Sequence, residues 1–297
     1  MIWLLLSLIP PFVWGIGSIL DKILVSKYIK GLHAGILTNL VSGLLPLLIL
    51  PFFHLKQVSL NSIFWIVCAG ILWGCARLFY CLAISKEEAS RVIPFFQISP
   101  VLILIFSFFF LHDTINSKQA LGFTAILAGV LWISVRKKEK KLHITDALGD
   151  LIIYTFFITS AFLLLKAFSK NDLWVSMIFL NIGFALSTVP FLIFNNNWQN
   201  VIKDIKKQPK PLFTILISLA LLTLIGRSTF FAALAIAPAA IVTIVSSVQA
   251  LFVLVFATYL SINLPHLIKE DVSIKVLVSK TGAILLILLG VAILAFA

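Results

Sequence analysis

Charge is what this sequence has least of. Lys, Arg, Asp and Glu together make up 11% of 297 residues, where a soluble globular protein carries roughly a quarter. With 61% hydrophobic residues and a mean hydropathy of +1.12, such a chain cannot cover its surface with polar groups, so lipid is its expected solvent. Cysteine is scarce too. Cys68, Cys75 and Cys81 all fall in one apolar run, with no His or carboxylate beside them. That favours packing over a metal site or a disulfide. The five histidines (His33, His54, His112, His143, His266) are all read as loop residues. No Walker loop, metal-ligand spacing or Ser/His/Asp constellation is present, so neither an enzyme nor a cofactor is expected. The longest polar stretch is about fifteen residues. A nucleic-acid binder needs a soluble basic face, and there is no room for one.

What is present are continuous apolar runs about twenty residues long, the length that crosses a hydrocarbon core of roughly 30 Å as a helix. Barrel strands would alternate over about ten residues. The expectation is therefore an all-α membrane protein with ten transmembrane helices. The spans are placed at 3–26, 34–53, 62–84, 90–111, 118–135, 146–168, 173–194, 211–235, 238–261 and 275–296. Charge and turn residues mark the breaks, as in Ser85-Lys-Glu-Glu88, Arg136-Lys-Lys-Glu-Lys-Lys141 and Asn195-Asn-Asn197. The first run has no basic residue before Lys22 and contains Pro10 and Pro11. It reads as the first span rather than as a signal peptide.

Of the 23 Lys and Arg, seventeen fall in the loops after spans 1, 3, 5, 7 and 9, and four in the even loops. The positive-inside rule then puts the odd loops in the cytoplasm and both termini outside. The net charge of +12 is mostly this topology signal. The remaining two, Arg77 and Arg227, lie inside spans.

A shift of 150 residues lays spans 3 and 4 on spans 8 and 9. Arg77 falls on Arg227, Ala83 on Ala233, Ala89 on Ala239 and Pro100 on Ala250. Lys22 corresponds to Lys166, and Asn39 approximately to Asn181. Spans 5 and 10 share a glycine pattern, Gly122 with Gly129-Val130 and Gly282 with Gly290-Val291. The expected organisation is two five-helix repeats, 1–140 and 146–297, the second carrying extra residues at about 262–274. An odd number of spans per repeat inverts the second copy. Inverted repeats are characteristic of secondary transporters, with the solute site near the midplane.

These residues resemble the drug/metabolite transporter superfamily, in its EamA-type branch of ten-helix, two-repeat carriers. The resemblance is carried by Trp14-Gly15, Ala83 and Ala89, Pro100, Gly122 and Gly129-Val130, then by Ala233-Leu234, Pro238, Gly282 and Gly290-Val291. His112-Asp113 stands where that family usually has Gly-Glu, and the segment before span 10 is stretched. The resemblance implies a carrier in the cell (inner) membrane whose cavity is walled by helices 3, 4, 8 and 9, with 1 and 6.

The candidate substrate-binding residues centre on Arg77 and Arg227. A charge at helix centre costs about 2.5–3.5 kcal/mol on insertion scales, so a guanidinium there is expected to have work or a partner. The Asp and Glu lie in loops or near span ends, Asp21, Glu87 and Glu88 being those left for proton coupling. Two repeat-related arginines facing one cavity would suit a carboxylate or phosphate. The expected substrate is a small anionic or zwitterionic metabolite: an amino acid, organic acid or phosphorylated compound. Tyr80, Asn39, Asn181, Gln97, Gln249, Ser246, Thr229, Trp14 and Trp73 complete the candidate set, although polar residues in membranes often simply join helices. The alternatives are a channel or a non-transporting sensor and, least favoured, a membrane-embedded lipid enzyme. The expected partners are the solute and the bilayer, in a monomer or homodimer.

Overall fold

The computed structural model describes residues 2–47, 59–99, 101–102, 105, 116–138, 141–168, 173–193, 197–207, 209–236, 242 and 245–296. Its elements in chain order are α1 (Ile2–Ile23, running into a π-helical turn Leu24–Tyr28), α2 (Gly31–Leu44), α3 (Leu60–Lys86) and α4 (Ala89–Val92, followed by a 3₁₀ turn Ile93–Gln97). Next come α5 (Ser117–Ser134), the antiparallel strands β1 (Val135–Lys138) and β2 (Lys141–Ile144), α6 (Leu148–Phe168), α7 (Leu173–Leu186) and α8 (Val189–Ile193). The chain ends with α9 (Asn197–Lys207), α10 (Pro209–Ile236), α11 (Gln249–Asn263) and α12 (Ile274–Ala295).

Seven of these helices are long and apolar enough to cross a membrane, and Gly31–Leu47 is a shorter apolar helix. The protein is an integral, multi-pass helical membrane protein. Much of expected span 4, with Pro100, and the start of expected span 9, with Pro238, lie outside the described residues, as do His112 and Asp113.

Three expectations are corrected. The segment read as a loop between spans 7 and 8 is the helix α9. It turns Val201 inward and carries Lys203, Lys206 and Lys207 outward, a two-sided pattern too short and too polar to register as a span. The basic run at 136–141 overlaps two antiparallel strands, β1 and β2, with Val135 opposite Ile144. Expected span 7 breaks at 187–188. There the Ser187 and Thr188 hydroxyls donate to the carbonyls of Phe184 and Ala185, each at 2.7 Å, ahead of Pro190, which has no N–H to continue the ladder.

The chain forms two compact units. One comprises 1–23, 86–149 and 225–297; the other comprises 24–85 and 150–224. Each gathers segments from both halves of the sequence, so compact units and sequence repeats are different divisions of the chain.

In the first unit α5 and α12 pack along their glycines. A Cβ on Gly122 would meet the Gly290 carbonyl oxygen at 2.9 Å, and one on Gly290 would meet that of Gly122 at 2.8 Å. Further along, Gly129 lies against Ile287, and Gly282 against the Trp132 ring. Numbers rise on one helix as they fall on the other, so the two run antiparallel. Gly290→Val is expected to lower stability by about 1–3 kcal/mol through overpacking, read as a lower thermal midpoint in detergent. An unchanged midpoint would mean that the helices do not pack this closely. The outward faces stay apolar, with Leu121 and Leu131 on α5 and Val278, Leu285 and Leu289 on α12, as lipid requires and water would not tolerate.

In the second unit α3 and α6 run antiparallel through a series of aromatic pairs. Trp65 stacks on Phe168, Trp73 meets Phe162, Phe79 stacks on Phe157, and Tyr80 faces Tyr154. A buried cluster of Ile66, Ala69, Leu165 and Leu180 joins α7 to them. Antiparallel crossing recurs between α2 and α7, where Asn39 reaches Ser187 and Gly43 lies against Asn181 and Ala185.

Candidate functional site

Within the first unit the candidate residues gather where α1, α10 and α11 meet. Arg227 stands eighteen residues into α10 and nine before its end, and is only 4% exposed. Its neighbour Gly226 carries no side chain because the Trp14 indole nitrogen occupies the place a Cβ would take. The same indole lies 5.7 Å from the Phe230 ring. One residue on, Gly15 admits Phe252 and Phe256, on which Phe12 also packs edge-on. The Trp14-Gly15 pair thus has a physical basis: a large ring faces α10, and the missing side chain lets α11 close in.

Ser18, one turn below Trp14, accepts a hydrogen bond from the Gln249 amide at 3.3 Å. Ser246 and Thr229 donate to carbonyls of their own helices, Val242 at 2.8 Å and Ile225 at 2.7 Å. Gln97 ends the 3₁₀ turn after α4, half-buried. Trp14, Ser18, Phe230 and Gln249 therefore form one partly polar, aromatic-rimmed region beside the turn that carries Arg227.

Within the second unit the Arg77 guanidinium carbon lies 4.9 Å from the centre of the Tyr80 ring. That is cation–π distance, a favourable way to hold a cation in an apolar setting. Tyr80 and Tyr154 are both buried, with ring centres 6.4 Å apart. Trp73 is one turn away, against Phe162. Asn39 is fully buried. Its amide donates to the Gly74 carbonyl at 2.9 Å and to the Ser187 hydroxyl at 3.1 Å, while its own oxygen has no partner. The Asn181 amide donates to Met177, four residues back, at 2.7 Å. The Asn39 amide thus joins α2 to the carbonyl of Gly74 on α3 and to Ser187, whereas this Asn181 bond stays within α7.

Tyr154, Phe230 and Ser18 were not singled out from the sequence. For Tyr154 and Ser18 a signal existed, a polar group inside an apolar run.

The carboxylates are engaged around Lys280, which the charge count tallies with the loops although expected span 10 contains it, and which lies six residues into α12. Lys280 is 2% exposed and pairs with Glu88 at 2.8 Å and Glu270 at 3.1 Å. Arg91 bridges Glu88 at 3.0 Å and donates to the Ile133 carbonyl at 2.9 Å. The Ser90 hydroxyl donates to Glu270, and the Asp271 N–H to Glu88 at 2.8 Å. Beside them Thr145 donates to Glu87, and Lys22 to the Glu87 carbonyl, both at 2.8 Å. Burial pushes the Glu88 carboxyl up, but the Lys280 charge and hydrogen bond outweigh it, and the net shift is below the ordinary value. The stretched segment before α12 is what delivers Glu270, so this departure from the family pattern builds an ion cluster. His33, expected in a loop, begins α2 and bonds Asp204 of α9 at 2.9 Å.

The class these observations define is a multi-pass helical membrane protein with an arginine buried deep inside a spanning helix. Residues 1–135 match the model of the EamA-like transporter family. The chain is 26% identical over 133 residues to the "Uncharacterized protein MJ1333.1" of Methanocaldococcus jannaschii, a match spanning 44% of this chain and 96% of that protein. A solved crystal structure resembles it over 96% of each chain, with a TM-score of 0.52 and 13% sequence identity, a likeness of fold alone.

Proposed function

We propose that the protein is a secondary carrier that moves a small anionic or zwitterionic metabolite by alternating access, through ten spans arranged as two inverted repeats, in the cell (inner) membrane. The observation that carries the anion reading is Arg227, a guanidinium side chain buried mid-helix, on the turn whose Gly226 packs against Trp14. A planar fork of donors in a low-dielectric setting selects carboxylate or phosphate over neutral solutes. Arg77, its counterpart at a shift of 150 residues, has an aromatic ring beneath it.

Two facts support the inverted repeat. The helices expected to be equivalent, α5 with α12 and α2 with α7, cross antiparallel, as copies of opposite orientation must. The archaeal relative is less than half the length of this chain and is matched almost end to end, as a protein carrying a single copy would be. Two similar halves can exchange conformations and expose a midplane site to either side in turn.

The test is counter-flow in proteoliposomes loaded with amino acids, organic acids or phosphorylated metabolites. A carrier shows uptake accelerated by its own substrate on the far side. Equal flux with empty and loaded vesicles would identify a channel, and flux of cationic solutes only would remove the anion assignment.

A further inference from the structure

The second unit also holds a cavity. It is an open cavity of about 200 Å³, lined by Lys27 and Tyr28 of the π-helical turn, Asp204 and Lys207 of α9, and Leu212 of α10. Its walls are held by a hydrogen bond and an ion pair on Asp204. His33 at the start of α2 bonds Asp204 at 2.9 Å, and Lys207 reaches the other carboxylate oxygen at 3.1 Å. Burial raises the Asp204 carboxyl, but the hydrogen bonds from His33 and Lys207 prevail and hold it below the ordinary carboxylate value. The one acidic wall residue is thus neutralised by its neighbours. Lys30, Lys203, Lys206 and Lys210 are exposed on the same segments, so the surroundings are strongly positive.

The cavity also lies at a boundary. Leu212 is buried, while Phe213, Ile217 and Leu221 form an exposed apolar stripe one face over on the same helix, pointing where acyl chains run. Ile202 of α9 is exposed among the lysines, the mixed face of a helix lying in the interfacial plane.

We infer that this cavity is a binding site for the headgroup of an anionic phospholipid. Lys27, Lys207 and the Tyr28 hydroxyl face the phosphate, and the acyl chains lie along Phe213, Ile217 and Leu221. A positive pocket at a headgroup level matches anionic lipid, and the adjoining apolar stripe favours a lipid over a free phosphate ion. The inference is independent of which solute is carried.

The test titrates the full chain in detergent with phosphatidylglycerol, phosphatidylcholine or inorganic phosphate, reading the thermal midpoint. Phosphatidylglycerol raises the midpoint above phosphatidylcholine, and inorganic phosphate does not reproduce the rise. Each lysine facing the headgroup contributes a factor of about five, so Lys27→Gln with Lys207→Gln raises the apparent dissociation constant roughly twentyfold or more. Lys118→Gln, on α5, leaves it unchanged. Should the double variant not fold, the wild-type protein still decides, because high salt abolishes the difference between the two lipids if the headgroup site exists. Equal midpoints with both lipids, a double variant with undiminished response, a salt-independent difference, or full reproduction by inorganic phosphate would each overturn the assignment.

Discussion

Replacing Arg227 with glutamine is expected to cut uptake of the carried anion by roughly thirtyfold or more. Truncating one partner of a buried, hydrogen-bonded charge pair costs about 2–5 kcal/mol, and the side chain here is almost wholly buried. Glutamine keeps much of the length and some hydrogen bonding but loses the charge and the two-pronged donor geometry. Arg227→Lys restores the charge without the fork, so it should recover only part of the rate. That ordering, arginine above lysine above glutamine, is what an anion contact predicts. A structural role would instead lower the thermal midpoint of all variants and reduce uptake only in proportion to folded protein. Initial uptake rates normalised to protein in the membrane, set beside thermal midpoints, separate the two. Equal rates for glutamine and arginine would remove the anion contact.

The second large effect is expected at Lys280. Its ammonium lies between Glu88 and Glu270 with 2% exposure. Lys280→Met leaves Glu88 with Arg91 but takes from Glu270 the cation it pairs with, and breaking a buried pair costs about 3–5 kcal/mol. Adding Glu270→Gln removes that uncompensated charge while keeping a partner for Ser90, so the double variant should be more stable than Lys280→Met alone. Thermal midpoints of the single and double variants measure this coupling. Additive losses would mean that the two side chains do not interact.

Acid should act on the same cluster. Glu88 and Asp271 both titrate below their ordinary values of 4.5 and 3.8. For Asp271 the main causes are hydrogen bonds from the backbone and hydroxyl of Ser273. A group with a depressed folded value contributes stability that is complete above its unfolded value and is lost as pH falls through the folded one. The midpoint is therefore expected to hold from neutral pH to about 4.5 and to decline below it, less steeply in Lys280→Met than in the wild type.

The contrast between Arg227 and Lys280 shows how far a sequence of this kind can be read. An arginine deep inside twenty apolar residues stands out by the desolvation it incurs, with no structure needed. Lys280 does not, because it sits near the start of its helix, where a lysine reads as one more loop charge. What makes it special is Glu270 ten residues before it and Glu88 far away in the chain, and no periodicity encodes that meeting. The glycines of α5 and α12 fall between these cases. Their spacing was visible as a repeated pattern, but a pattern does not say that Gly122 and Gly290 press on each other's backbone. The helix α9 and the strands β1 and β2 escaped notice because hydropathy over a membrane-length window averages away short, polar elements.

The sequence alone determined that this chain lives in lipid, that it crosses the bilayer as helices, and where many of those helices begin and end. Burial of backbone polar groups in hydrocarbon leaves no other choice, and that constraint acts on local composition. Tertiary structure alone decided which distant side chains share a neighbourhood: Tyr154 facing Tyr80, the indole beside Gly226, and the carboxylates around Lys280. Those contacts join segments up to 212 residues apart, and they exist because helices of similar apolarity are sorted by shape, glycine against backbone and ring against ring, rather than by hydrophobicity, which in a membrane is the same for all of them.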